Sequence, residues 1–166
     1  MRQSGELYRE EVSFFWGWLG MGIFFITAVT ALILFLIQQT YDPIGDIPTP
    51  NGLYPIIAAV FFAIGLLMAN FARLTIRLDP QGVSAGYGPF RHFEPWDNIA
   101  EAELDRGLYG GWGIRYGRKD GNAALVYNVN NAPILTLRLK EGKSTYFGFS
   151  TKHPDEVTSL INNWKC

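Results

Sequence analysis

Two long stretches without a charged residue constrain this chain more than anything else in it. Phe14 to Ile37, FFWGWLGMGIFFITAVTALILFLI, is 24 residues long. As a helix rising about 1.5 Å per residue it spans about 36 Å. Leu53 to Ala72, LYPIIAAVFFAIGLLMANFA, is 20 residues long and spans about 30 Å. Both lengths cross a hydrocarbon core of roughly 30 Å. Buried helices of soluble domains seldom run so long without a charge. The sequence therefore predicts two transmembrane helices, at 14–37 and 53–72.

The first stretch does not read as a cleaved leader. Arg2 and Arg9 precede it, but Glu6, Glu10 and Glu11 offset them. The apolar run exceeds the roughly 7–15 residues of a leader core, and Gln38, Gln39 and Thr40 offer no small-residue cleavage site. The connection from Gln38 to Gly52 holds three prolines, two acids and no Lys or Arg. Arg73 and Arg77 follow the second stretch at once. The excess of positive charge at the outer flanks predicts that both termini are cytoplasmic and the short connection is outside. Trp16, Trp18, Tyr41 and Tyr54 lie near the span ends, where aromatic rings favour the interface. The expected location is the cell (plasma) membrane.

Neither span holds an ionisable side chain, which argues against a proton relay or an ion path. Thr27, Thr30 and Asn70 are the polar residues inside them. Ala59/Ala63 and Gly65/Ala69 repeat small residues at a four-residue spacing, a pattern that admits a neighbouring helix. The first span is the expected neighbour, giving a transmembrane hairpin over 14–72 behind a cytoplasmic N-terminal segment, 1–13.

From residue 73 the pattern changes to alternating, charged and glycine-rich. Leu74–Asp79 alternates apolar and polar residues with the period of a half-buried strand. Pro80-Gln81-Gly82 is a turn signal. Further strands are expected at 83–87, 90–94, 99–105, 111–116, 124–128, 134–139 and 145–149. His153-Pro154-Asp155-Glu156 places proline and acids at a helix start. Val157, Leu160, Ile161 and Trp164 then share one helical face. The expectation for 73–166 is an all-β barrel of about seven short strands, closed to remove its edges and plugged by one C-terminal helix. Leu160 and Trp164 are expected to bury against it.

That order resembles a pleckstrin-homology-like barrel. The segments LTIRLDPQGV (74–83), FEPWDNIAEAEL (93–104), GGWGIRYG (110–117) and ILTLRLKEGKSTYFGFSTKHPDEVTSLI (134–161) resemble bacterial PH-like domains of the membrane-anchored type with two transmembrane helices. The resemblance implies the fold and a non-catalytic binding or assembly role. Phosphoinositide-binding relatives use basic residues in the first hairpin loop. Here that loop is Asp79-Pro80-Gln81-Gly82, without a base, so inositide recognition is not expected.

Other chemistries find little support. The near-neutral balance, 14 Lys/Arg against 15 Asp/Glu, argues against nucleic-acid binding. The single cysteine, Cys166, forms neither an internal disulfide nor a thiolate zinc cage. Gly111, Gly113 and Gly117 lack the dinucleotide spacing. His92 and His153 show no metal-binding spacing, and no nucleophile elbow is present. No enzyme activity, cofactor or metal is expected. Trp112 and Arg115 are the candidate protein-contact residues, since both types are enriched at interface hot spots; an Arg stem lying on an aromatic ring is also a common core support. Arg73 and Arg77 are candidates for lipid head-group contact. The expected function is a small integral membrane protein whose cytoplasmic module binds a protein partner or a second copy. A lipid-responsive module is the alternative, and an enzyme or transporter accessory subunit a weaker one.

Overall fold

The computed structural model describes residues 8–40, 52–105, 111–130 and 132–164. The connection at 41–51, Gly110 and Cys166 lie outside the described residues. The chain divides into two compact units, residues 15–72 and residues 1–14 with 73–166.

The first unit is a pair of helices, α1 (Phe15–Thr40) and α2 (Leu53–Phe71). Both are long and apolar enough to cross a membrane. Thr27 and Thr30 donate their hydroxyls to the carbonyls of Ile23 and Ile26 at 2.9 Å, and Asn70 donates to Leu66 O at 2.9 Å. These polar groups are thus satisfied by their own helix. The helices pack through small residues, with Gly65 of the expected Gly65/Ala69 pair at the seam but not Ala59/Ala63. Ala58 and Gly65 of α2 are buried, with Gly17, Ala28 and Ala31 of α1. Ala59 and Ala63 are exposed instead. Gly65 lets the Phe25 ring approach so closely that a Cβ would lie 3.3 Å from it. Phe24–Phe61 and Phe25–Phe62 complete the seam, with centroids 5.7 and 5.3 Å apart. The bulk of the aromatic rings decides which small residues face the partner helix.

The second unit departs from the expected barrel. It holds nine strands among the described residues, in two sheets, and no closed barrel. The first sheet runs β1 (Tyr8–Ser13), β2 (Arg73–Asp79), β3 (Gly82–Tyr87) and β4 (Phe90–Pro95), all antiparallel. A single 3-10 turn, Trp96–Asn98, leads into the second sheet. That sheet contains β5 (Ile99–Asp105), β6 (Gly113–Lys119), β7 (Asn122–Asn128), β8 (Ile134–Leu139) and β9 (Tyr146–Ser150), in the order β5-β8-β9-β7-β6. β7 and β9 are parallel. Helix α3 (Pro154–Trp164) ends the unit.

Residues 8–13 are therefore not a free N-terminal segment. They are the edge strand of the first sheet, paired residue for residue with β2 from Tyr8↔Leu78 to Ser13↔Arg73. Tyr8, Glu10 and Val12 point inward, and Arg9, Glu11 and Ser13 outward, the period of a half-buried strand.

The two sheets face each other across one core. Leu74, Ile76, Val83 and Tyr87 of the first meet Leu135, Leu137, Phe147 and Phe149 of the second, all fully buried. Tyr87 stacks on Tyr127 with centroids 6.3 Å apart, and its hydroxyl donates to Asn128 O. The second sheet is strongly curled. Five flat strands would hold β5 and β6 about 19 Å apart. Yet Lys119 of β6 reaches Asp105 of β5 at 3.2 Å, passing over the Tyr146 ring. Small residues line the concave side, where Ala124, Val126 and Ile134 form a separate buried cluster.

Helix α3 docks through Val157 and Ile161, which are fully buried. Leu160 is only half-buried, and Trp164 stays 40 % exposed. The helix meets β5 and β8 along a narrow i, i+4 stripe. Trp164, a turn beyond it, stacks on Trp96 with centroids 6.3 Å apart instead of entering the core.

Candidate functional site

The outward face of the first sheet collects the arginines. Strand pairing puts Arg9 directly opposite Arg77. Arg73 ends the same face beside Ser13, and Arg91 joins it from β4 through the Thr75↔Gly86↔Arg91 row. Arg9, Arg73 and Arg91 are exposed and Arg77 is half-buried. Thr75, Ser84 and Phe93 fill the spaces between them. Glu11 is the acid in their midst, 2.8 Å from Arg9 and 3.8 Å from Arg73. Asp79, at the far end of the face, accepts the turn N–H groups of Gln81 and Gly82. Like charges directly opposite each other destabilise a strand pair. Glu11, 2.8 Å from Arg9, offsets that repulsion on the β1 side.

Gly86 shapes this face. A Cβ there would lie 2.5 Å from Arg91 Cα and 2.6 Å from Arg91 Cγ. Its absence lets the Arg91 stem lie flat across β3. The Arg91 Nε donates to Gly88 O at 2.9 Å, leaving the rest of the guanidinium at the surface.

Arg73 and Arg77, expected from sequence, thus stand on one sheet face. Arg9 and Arg91 were not anticipated. The signal for Arg9 was the alternation of Tyr8–Ser13, partly hidden because its inward set includes a carboxylate, Glu10. That side chain is 8 % exposed. Its oxygens accept from Tyr8 Oη at 3.0 Å, Thr151 Oγ1 at 2.5 Å and Lys152 N at 2.7 Å. A buried carboxylate must be met by donors. These donors come from β1 itself and from the segment joining β9 to α3. Burial raises the Tyr8 hydroxyl pKa, and the neighbouring Glu10 charge raises it further.

The other sequence candidates separate. Trp112 is half-buried and packs on Phe14, with centroids 5.3 Å apart and planes at 37°. Arg115 is exposed on β6, and its guanidinium folds over Gly111, a residue at φ +91° where a Cβ would strike it. His92 Nε2 lies 2.6 Å from Glu94 Oε1, and Asn98 Nδ2 donates to Glu94 Oε2 at 2.9 Å. The His92 ring packs on Phe147 at 4.7 Å. His153 precedes α3, where its carbonyl accepts from Val157 N at 3.0 Å. Among the described residues, no group of three His, Cys, Asp or Glu side chains is placed to hold a metal. Burial alone would lower the Lys119 pKa. The carboxylates of Asp105 and Glu103, at 3.2 and 3.5 Å, outweigh it and raise the value.

Compared with protein-family models, curated proteins and solved structures, the chain matches none.

Proposed function

We propose that this chain is a small, non-catalytic integral membrane protein whose β module, PH-like in element order, lies on the cytoplasmic side and engages anionic lipid head groups through the arginine face of its first sheet. The observation that carries this reading is the β1–β2 pairing. It turns the two arginines that follow α2 into a group of four on one face. Clusters of four or more bases beside a span are the pattern of anionic-lipid binding, each contributing about 1 kcal/mol near the surface. The register also orders the arginines by distance from the point where the chain enters the helices. Arg73 is at that end, Arg91 is about 7 Å along the strands and Arg9 and Arg77 are about 13 Å along.

The test uses the β module with residues 15–72 replaced by a short turn, mixed with phosphatidylcholine vesicles with or without phosphatidylglycerol. Binding is expected only with the anionic lipid and falls as salt rises. Arg91→Gln and Arg9→Gln each weaken it roughly fivefold, the equivalent of about 1 kcal/mol. Equal binding to both vesicles, or none to either, removes the lipid reading.

A second reading, a protein-interaction or assembly module, is favoured by the far side of the second sheet. Edge strand β6 presents Arg115, Tyr116, Gly117 and Arg118 to solvent, with Tyr116 81 % exposed. Crosslinking the full-length chain in its native membrane tests it. A stoichiometric partner supports the reading, and recovery of the chain alone as a monomer removes it.

A further inference from the structure

The end of the second sheet carries a groove that the lipid reading does not use. The β6–β7 hairpin and the β8–β9 loop enclose an open volume of about 410 Å³, lined by Tyr116, Gly117, Arg118, Ala123, Lys143 and Ser144, with Ala124 at its floor. Its charged lining residues are Arg118 and Lys143, both cationic and both exposed. No carboxylate lines it. The nearby Asp120 carboxylate faces the Tyr146 hydroxyl at 3.5 Å. Lys119, the next base along β6, points to the other side of the sheet, held by Asp105 and Glu103.

One further feature selects among occupants. Tyr116 stands out of the sheet as a flat, half-apolar surface, the kind of side chain that anchors interfaces. The groove therefore combines an aromatic platform and two cations.

We propose that this groove takes an acidic segment of a partner protein, with its carboxylates on Arg118 and Lys143 and a side chain on Tyr116. The proposal rests on the protein-interaction reading and gives it a site and a chemistry. Charge complementarity chooses the occupant. A basic segment would face two uncompensated cations, and a neutral one would leave both without partners.

The full-length chain in nanodiscs of phosphatidylcholine alone provides the test, since no anionic lipid then competes. The probe is a short fluorescent peptide alternating Glu and Thr, compared with its Gln/Thr and Lys/Thr counterparts by anisotropy. The Glu peptide is expected to bind roughly tenfold or more tightly than the Gln peptide. The double variant Arg118→Glu/Lys143→Glu loses the Glu peptide and gains the Lys peptide. Tyr116→Ser, at a position 81 % exposed, weakens the Glu peptide without changing thermal stability. Three results overturn the assignment: no saturation by the Glu peptide up to about 1 mM, equal binding to the charge-reversed variant, or equal binding of Glu and Gln peptides. If a partner crosslinked in the native membrane survives Arg118→Glu/Lys143→Glu, the protein-interaction reading stands and the groove is not its site. If phosphatidylglycerol vesicles displace the Glu peptide from the wild type, the groove holds lipid anions and the peptide assignment falls.

Discussion

Ser13 and Arg73 face each other in one antiparallel strand pair, although both long helices lie between them in the sequence. The β module is therefore made of two pieces of chain, one from each side of the helical hairpin. A fragment beginning after the second helix is not the module. It lacks β1, the Glu10 carboxylate and the Phe14 ring that packs on Trp112.

Joining the pieces is expected to give a soluble, folded domain. Residues 8–14 linked through Asn-Gly to 73–164 convert β1 and β2 into an ordinary hairpin. Size-exclusion chromatography and circular dichroism should show a monomeric β protein with a cooperative urea transition. The fragment 73–164 alone should aggregate, because it leaves β2 as an open edge with its inner face incompletely covered.

Replacing Glu10 separates its structural role from its charge. Glu10→Ala leaves the Thr151 hydroxyl and the Lys152 N–H without their acceptor, at a cost of about 2–4 kcal/mol. Glu10→Gln keeps one acceptor oxygen but turns an amide toward a donor, costing about 1–2 kcal/mol. Urea unfolding of the joined domain measures both. Equal stability of Glu10→Ala and wild type would show that β1 is dispensable.

Stability should fall in alkali and not before. Burial raises the Tyr87 hydroxyl from 10.0 to about 12, with a backbone hydrogen bond from Gly113 working weakly against it. Below pH 10 the phenol is neutral in both states and the contribution is intact. Between pH 10 and about 12 the unfolded chain ionises first and draws the equilibrium toward itself. The loss from Tyr87 is of the order of 2–3 kcal/mol. Tyr8, Tyr127 and Lys119 are shifted upward too and act in the same direction. Denaturant midpoints taken across this range test the sign, and Tyr87→Phe should shallow the decline.

The C-terminal helix offers a contrast between two large residues. Ile161→Ala removes a fully buried side chain and should cost about 2–4 kcal/mol. Trp164→Ala removes a half-open stack on Trp96 and should cost about 1 kcal/mol. Thermal melts of the two variants rank them, and a larger loss at Trp164 would place that ring in the core.

The long helices, most strand positions and α3 were legible because each follows a local rule: unbroken apolarity, alternation, or a proline and acids at a helix start. Four things were not. The strand Tyr8–Ser13 was hidden because its inward residues include Glu10, and a buried carboxylate reads as surface until its donors, more than half the chain away, are known. The parallel β7–β9 pair was hidden because alternation fixes a strand's faces but not its neighbours. Trp164 was misplaced because helical periodicity marks a face, not how far the sheet beneath it extends. The arginine face needed the register itself: Arg9 and Arg91 gain their meaning only from lying on either side of Arg77 and Gly86.

On the membrane reading proposed above, a module stitched together from both flanks of a hairpin carries its own quality control. During synthesis β1 emerges first and must wait, partnerless, until both helices have left the ribosome and β2 follows. With both helices threaded through the bilayer, the two strands meet on one side and the sheet zips. If only one helix threads, β1 and β2 are stranded on opposite sides and no amount of time lets them find each other. The module then presents an open sheet edge to cellular proteases. Correct insertion would then be recorded in whether the β module folds at all.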